Sequence, residues 1–276
     1  MSDLRYLFPR VIRHFMPPGL ARFLLLRRWI IRPGLETDAP ELAAEQYRQD
    51  LAERGIYLSG KRILILGYGG RFGVGCALLK MGVGQVVLCE KGVQPDDSYN
   101  RTLLGNHSDV LILKESRVLS DPKQLEVVEG DIRQLKLRPV DIVLSTSVYE
   151  HLDDVTGVTR ALAALTNPDG VNLHYIDLRD HFFKFPFEML CYSERIWRGW
   201  LNPTTHHNRY RLLDYRAAFE GCFVRVELKV MARDEEGYSK TRDRIRPEFL
   251  STDPLVDSVT KLAIFADTPI NPESRS

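Results

Sequence analysis

Three stretches of this chain bring together residue types able to do chemistry. The first is Gly67-Tyr68-Gly69-Gly70-Arg71-Phe72-Gly73-Val74-Gly75. Glycines this dense let a ligand approach the backbone and meet free N–H groups at a helix start. Glu90 follows 23 residues after Gly67. A carboxylate at that spacing can accept both hydroxyls of a ribose. The second stretch is Glu129-Gly130-Asp131-Ile132, where Asp131 can accept from an adenine amino group and the Ile132 amide can donate to the ring. The third is Asp141-Ile142-Val143-Leu144-Ser145-Thr146-Ser147-Val148-Tyr149-Glu150-His151. Ser147 falls beside the expected ligand. His151 supplies an imidazole, the side chain whose ordinary pKa suits general-base work near neutral pH.

Two further groups carry imidazoles. Asp177 and His181 are four apart, and a carboxylate beside an imidazole orients the ring and raises its basicity. The competing arrangement has Asp177 capping the next element and Asp180 pairing with Arg179 in solvent. His206-His207-Asn208-Arg209 reads either as a substrate contact or as an exposed loop.

The elements that must position these residues are legible from apolar runs. Arg62–Leu66 and Gln85–Cys89 are short and apolar, as strands buried on both faces are. Further runs at 125–128, 141–145, 171–176, 224–230 and 262–265 make seven. Helical segments lie between them, including 154–165, which ends at the turn Asn167-Pro168-Asp169-Gly170. Alternating strands and helices predict a parallel sheet. The glycine turn and Glu90 then stand at the carboxyl edge of that sheet, where open α/β sheets bind ligands. Two adenosine-containing ligands fit so far, a dinucleotide and S-adenosylmethionine.

Residues 175–215 hold ten aromatics, against about four expected from the 9% across the chain. Five of the seven histidines fall between His151 and His207. This segment reads as an insertion over the mouth of the sheet, or as a helical layer packing its rings as core. At the other end, residues 1–35 hold seven Arg and one acid, a local +6 within a chain of net +1. Leu4, Leu7, Phe8, Val11, Ile12 and Phe15 recur at helical spacing there, with Pro9 expected to kink or split the helix. A second apolar-basic stretch spans 20–32, and a helix of about 40–54 follows. The balanced total charge excludes a chain-wide nucleic-acid footprint. The four cysteines form no CxxC pair, and no apolar run reaches membrane-spanning length, so a cytoplasmic location is expected.

In combination, GYGGRFGVG with Glu90, EGDI, DIVLSTSVYEH and the NPDG turn resemble class I S-adenosylmethionine-dependent methyltransferases over about residues 60–180. IDLRDHF, CYSERIW and NRYRLLDYRAAFE resemble a bacterial branch linked to surface-polysaccharide or small-molecule methylation. The resemblance implies a Rossmann-like, doubly wound, mostly parallel seven-stranded sheet with helices on both faces. N-terminal helices (1–58) precede a methyltransferase domain (59–276), with an aromatic-rich substrate-side cover at about 178–215. It implies S-adenosylmethionine as cofactor, held by Gly67, Tyr68, Gly69, Gly70, Glu90, Asp131, Ile132 and Ser147. It implies O-methylation of a sugar, glycolipid or other small molecule, with His151, His181 and Asp177 as catalytic candidates. Two departures stand out. Ile65 replaces an acid that such enzymes usually carry two residues before the first glycine. Ser147 replaces the first carboxylate of the Glu-x-x-Glu-His pattern by which some relatives bind a metal, so no metal is expected. The alternatives are an inactive binding protein on this fold and a nicotinamide-dependent oxidoreductase, whose third glycine would fall one place earlier than Gly73. The basic N-terminus is read as a lid, a dimer contact or a peripheral contact with an anionic membrane surface.

Overall fold

A computed structural model describes residues 4–16, 39–182, 184–202 and 207–270. The stretch 20–32 and His206 lie outside the described residues. In chain order the strands are β1 (Arg62–Leu66), β2 (Gln85–Glu90), β3 (Leu111–Lys114), β4 (Arg117–Ser120), β5 (Leu125–Glu129), β6 (Val140–Thr146), β7 (Thr166–Asp177), β8 (Phe223–Arg233) and β9 (Val259–Pro269). Seven of them form one sheet in the order β5-β2-β1-β6-β7-β9-β8. The first five pair in parallel, while β9 runs antiparallel to both β7 and β8. The hairpin β3–β4 stands apart and was not foreseen. β7 also begins earlier than expected, because Asn167–Gly170, read as a turn, enters the strand with a register irregularity against β6.

The longer helices are α1 (Leu4–His14), α2 (Pro40–Ala52), α3 (Gly73–Lys80), α4 (Val155–Leu165), α5 (Leu212–Glu220) and α6 (Glu235–Thr241). Apolar side chains alternate across the buried strands, so each sheet face needs its own layer. Ala43, Ala44 and Tyr47 of α2 and Cys76 and Leu78 of α3 join Ile63 and Ile65 in one core. Val158 and Leu162 of α4 and Tyr215 and Phe219 of α5 join Leu64 and Val143 in the other. The boundary expected at residue 58 therefore does not separate two cores, since α2 packs directly on the sheet. Ile65, in register with Leu88 and Leu144, is fully buried among apolar side chains.

The aromatic segment builds a third core of its own. Phe187, Met189, Tyr192, Trp197 and Leu201 pack with Tyr6 of α1 and Tyr238 of α6. Pro9 does not split α1. Its ring removes a backbone donor, yet Tyr6 and Arg10 on either side clamp the helix to this core. The Tyr6 hydroxyl donates to Asp180 Oδ2 at 2.5 Å, Arg10 pairs with Asp180, and Arg10 Nη1 donates to the Leu201 carbonyl at 2.6 Å. Asp180 is thus buried and paired with Arg10, not with Arg179 in solvent as the competing reading had it. No helix among the described residues is long and apolar enough to cross a membrane.

Candidate active site

β1 ends in a turn that only glycine can make. Gly67 has φ of +78°, and a Cβ there would stand 2.2 Å from Val148 Cγ2. Gly70 has φ of +79°, and a Cβ there would stand 2.5 Å from the Gln94 carbonyl oxygen. The chain therefore passes between β2 and β6 without a side chain in the way. Glu90, at the end of β2, accepts from the Gly69 N–H and from the Lys91 N–H, both at 3.0 Å. Burial raises its pKa while those two donors oppose the rise.

Gly67, Glu90, Asp131, Ile132, Ser147 and His151 line one cavity of about 640 Å³ at the carboxyl edge of the sheet. Five of the eight expected cofactor residues are among them. The side chain of Tyr68 packs instead into the core beneath the loop, 6.1 Å from the Phe72 ring. Gly69 and Gly70 shape the turn and do not line the cavity. Asp131 is gripped by Arg133, with Nε–Oδ1 at 2.9 Å and Nη2–Oδ2 at 2.6 Å, and by Lys91 Nζ at 3.0 Å. Hydrogen bonds from Arg133 hold its carboxyl well below the usual carboxylate range. It stays an anionic acceptor.

Ser147, directly after β6, is in the left-handed region, φ +54°, with its N–H donating to the Tyr175 carbonyl at 2.9 Å. This sharp exit turns Tyr149–His151 into a short helical turn over the sheet edge. Three imidazoles converge there. The ring centroids of His151 and His181 are 4.9 Å apart, those of His181 and His207 4.6 Å, and those of His151 and His207 5.5 Å. His207 is buried, with neither ring nitrogen hydrogen-bonded, so the exposed-loop reading of this residue is wrong. Burial, then His151, lowers the His181 pKa to about 4; burial, then His181, takes His207 well below its usual value. Asp177 gives both carboxylate oxygens to Arg179, so it reaches His181 as a nearby charge. Asp177 therefore acts on His181 through its charge while Arg179 donates to its carboxylate.

Glu150 belongs to the same cluster. It is fully buried, and neither carboxylate oxygen has a hydrogen-bond partner of ordinary geometry. Burial pushes its pKa up to about 8. Ligand atoms of Glu150, His151 and His181 lie within 4.8 Å of one another. The expectation of no metal counted one carboxylate and one imidazole; His181 supplies a third group. Two imidazoles and a carboxylate can hold a zinc-, manganese- or iron-type cation if they draw together.

A second cavity of about 470 Å³ adjoins the first, and Leu152 and Asp153 wall both. Trp197, Tyr210 and Phe249 give it aromatic faces, and Glu194, Asp214 and Glu248 give it carboxylates. His207 lines this second cavity as His151 lines the first. Asn208 joins the two. Its Nδ2 donates to the carbonyls of Tyr149 and Leu152 at 2.7 and 3.0 Å, and its N–H donates to the Glu150 carbonyl at 2.7 Å. Asn208 thereby fixes the His151 turn from the cover. His207 and Asn208 belong to a group that the sequence marks as a possible substrate contact, but the bonds from Asn208 to the His151 turn could not be read there, since Tyr149, Glu150 and Leu152 are more than fifty residues away.

Residues 79–173 match the model of a family described as a methyltransferase domain, a span from α3 to β7 that includes Glu90, Asp131, Ser147 and His151. No curated protein matches the chain. Among solved structures, phosphoethanolamine N-methyltransferase 2 of Haemonchus contortus, in complex with S-adenosyl-L-methionine, aligns with a TM-score of 0.50 and 16% identity. The alignment covers 82% of this chain and 53% of that one. Magnesium protoporphyrin IX methyltransferase of Synechocystis PCC 6803, with bound SAH, aligns with a TM-score of 0.46 and 14% identity over 92% and 96% of the two chains. An S-adenosylmethionine-dependent methyltransferase of Mesorhizobium loti aligns with a TM-score of 0.45 and 14% identity over 84% and 99%. The sheet order and the first of these likenesses agree on the Rossmann-like methyltransferase fold.

Proposed function

We propose that this protein transfers a methyl group from S-adenosylmethionine to a hydroxyl of a small, sugar-like acceptor. The observation that carries the proposal is the pair of adjoining cavities, with an imidazole on the wall of each and a third imidazole between them. The first cavity fits the donor. Gly67 leaves the space a side chain would fill, Glu90 offers a carboxylate to ribose hydroxyls, and Asp131 stays ionised to accept from the adenine amino group. The donor supplies a methyl group already activated on a sulfonium.

The second cavity suits the acceptor. The rings of Tyr210 and Phe249 can pack the apolar face of a pyranose or phenolic ring, while Glu194 and Asp214 can accept from its hydroxyls. The residues' task is mainly to place the reacting oxygen and exclude water. As the oxygen–carbon bond forms and the sulfur–carbon bond breaks, the hydroxyl proton passes to an imidazole. His151 is the candidate base on the donor side of the turn, with His181 beside it. Burial keeps His181 and His207 neutral near pH 7, but the same lowering makes both weak bases, which favours His151 as the proton acceptor.

Calorimetric titration with S-adenosylmethionine, followed by turnover on a panel of glycosides and phenols, tests the reading. Preference for NAD overturns it. Donor binding without turnover on any acceptor class favours the inactive binding protein.

A further inference from the structure

We infer that the outer face of α1, continued by Trp200, seats the protein on an anionic lipid surface, so that the acceptor cavity meets a lipid-borne substrate. The inference deepens the proposed methyl transfer by naming the substrate class, and it rests on that reading for the reaction alone.

α1 has two unlike faces. Tyr6 and Arg10 face the cover and lock to buried Asp180. On the other side Leu4, Phe8, Ile12 and Phe15 are 77, 69, 48 and 70% exposed. Their spacing of four, four and three residues places them in one row. The row does not stop at the helix end. His14 stacks on Trp200 at 4.9 Å and Phe15 meets the same ring at 6.3 Å. Trp200 is half exposed, and Ile196, one turn earlier, is exposed as well. The helix already packs through its opposite face, so the row is not a core face left over. Contiguous exposed apolar surface of this kind marks an interaction site.

Charge selects the partner. Residues 1–35 carry +6, whereas the other residues sum to −5. A second copy would bring the same excess of arginine in its own N-terminal sequence. An anionic bilayer supplies both an apolar interior for the row and counter-charge for the arginines, the arrangement of interfacial amphipathic helices. Trp is the residue type that favours the headgroup level. The location fits the chemistry: Trp197, Arg198 and Asn202 wall the acceptor cavity, and Trp200 lies on the same short segment. An acceptor carried on a lipid would reach the cavity from the surface that the row contacts.

Co-sedimentation of the full chain with phosphatidylcholine vesicles containing phosphatidylglycerol tests the inference. The protein should pellet with them, and binding should weaken with salt, because exposed charges are screened beyond about 10 Å at 0.1 M ionic strength. Pure phosphatidylcholine vesicles should bind it weakly. Phe8→Asp with Phe15→Asp should weaken binding at least about tenfold, since each places a charge where apolar area would be buried. Trp200→Ser is the second variant, should the first pair misfold. Absence of pelleting, equal pelleting with both vesicle types, or unchanged binding in both variants overturns the inference. So does a concentration-dependent dimer that these substitutions abolish. S-adenosylmethionine titration without vesicles reads the methyltransferase function separately, and these variants should leave it unchanged.

Discussion

His151 and His207 stand 5.5 Å apart, ring to ring, and each walls a different cavity. The first comes from the turn after β6 and the second from the cover, 56 residues later. Asn208, next to His207, holds the His151 turn by three hydrogen bonds. The imidazole cluster is thus the seam between the two cavities.

A base at that seam should matter for rate and not for donor binding. A general base contributes about 10²–10⁴-fold. His151→Ala should lower kcat at least about a hundredfold, with S-adenosylmethionine affinity by calorimetry unchanged. A loss confined to His181→Ala moves the role to that ring. Full activity in the double variant removes the general base from the mechanism.

Glu90 should matter for donor binding. Losing a hydrogen bond to a charged group costs about 1.5–3 kcal/mol, roughly tenfold to a hundredfold in affinity. Glu90→Ala should weaken S-adenosylmethionine by that factor in calorimetry. It also removes the acceptor of the Gly69 N–H, so Glu90→Gln, which keeps an acceptor there, should lose less. Equal affinity in wild type and Glu90→Ala contradicts the placement of ribose at Glu90.

Gly67→Ala faces two penalties. The left-handed backbone costs a non-glycine residue about 1–2 kcal/mol. The added methyl also meets Val148 Cγ2 at 2.2 Å. Thermal unfolding should show a clear loss of stability, and donor binding should fall with it. Val148→Ala in the same chain should recover the steric part and leave the backbone part. Recovery of nothing would mean that the Val148 clash is not what excludes a side chain.

The cluster also predicts a response to metal. Zinc drawn between Glu150, His151 and His181 would occupy the lone pairs a base needs. Added zinc should inhibit methyl transfer, and EDTA should restore it. Activation by zinc, or inactivation of the purified enzyme by EDTA, would replace the general base with a metal-bound hydroxyl.

The sequence by itself determined the sheet and the first cavity. Buried strands announce themselves as short apolar runs, and β1 appears at the residues expected. Gly67, Glu90 and Asp131 are each within a few residues of a strand end, so placing the strands places them. Local geometry was enough because strand register fixes what emerges at the carboxyl edge.

Only the tertiary structure decided the second cavity and its partners. Asp177 and His181 are four apart, which suggested a pair; the fold also brings Arg179 to both Asp177 carboxylate oxygens, and Asp177 reaches His181 as a nearby charge. Asp180 looked like a solvent-facing acid, but its partners Tyr6 and Arg10 come from the far end of the chain. His207 read equally as a substrate contact or an exposed loop, and the cover buries it beside His181. The physical reason is common to all three. Irregular segments have no period to reveal which side chains point inward, and contacts between distant segments form only when the whole chain packs.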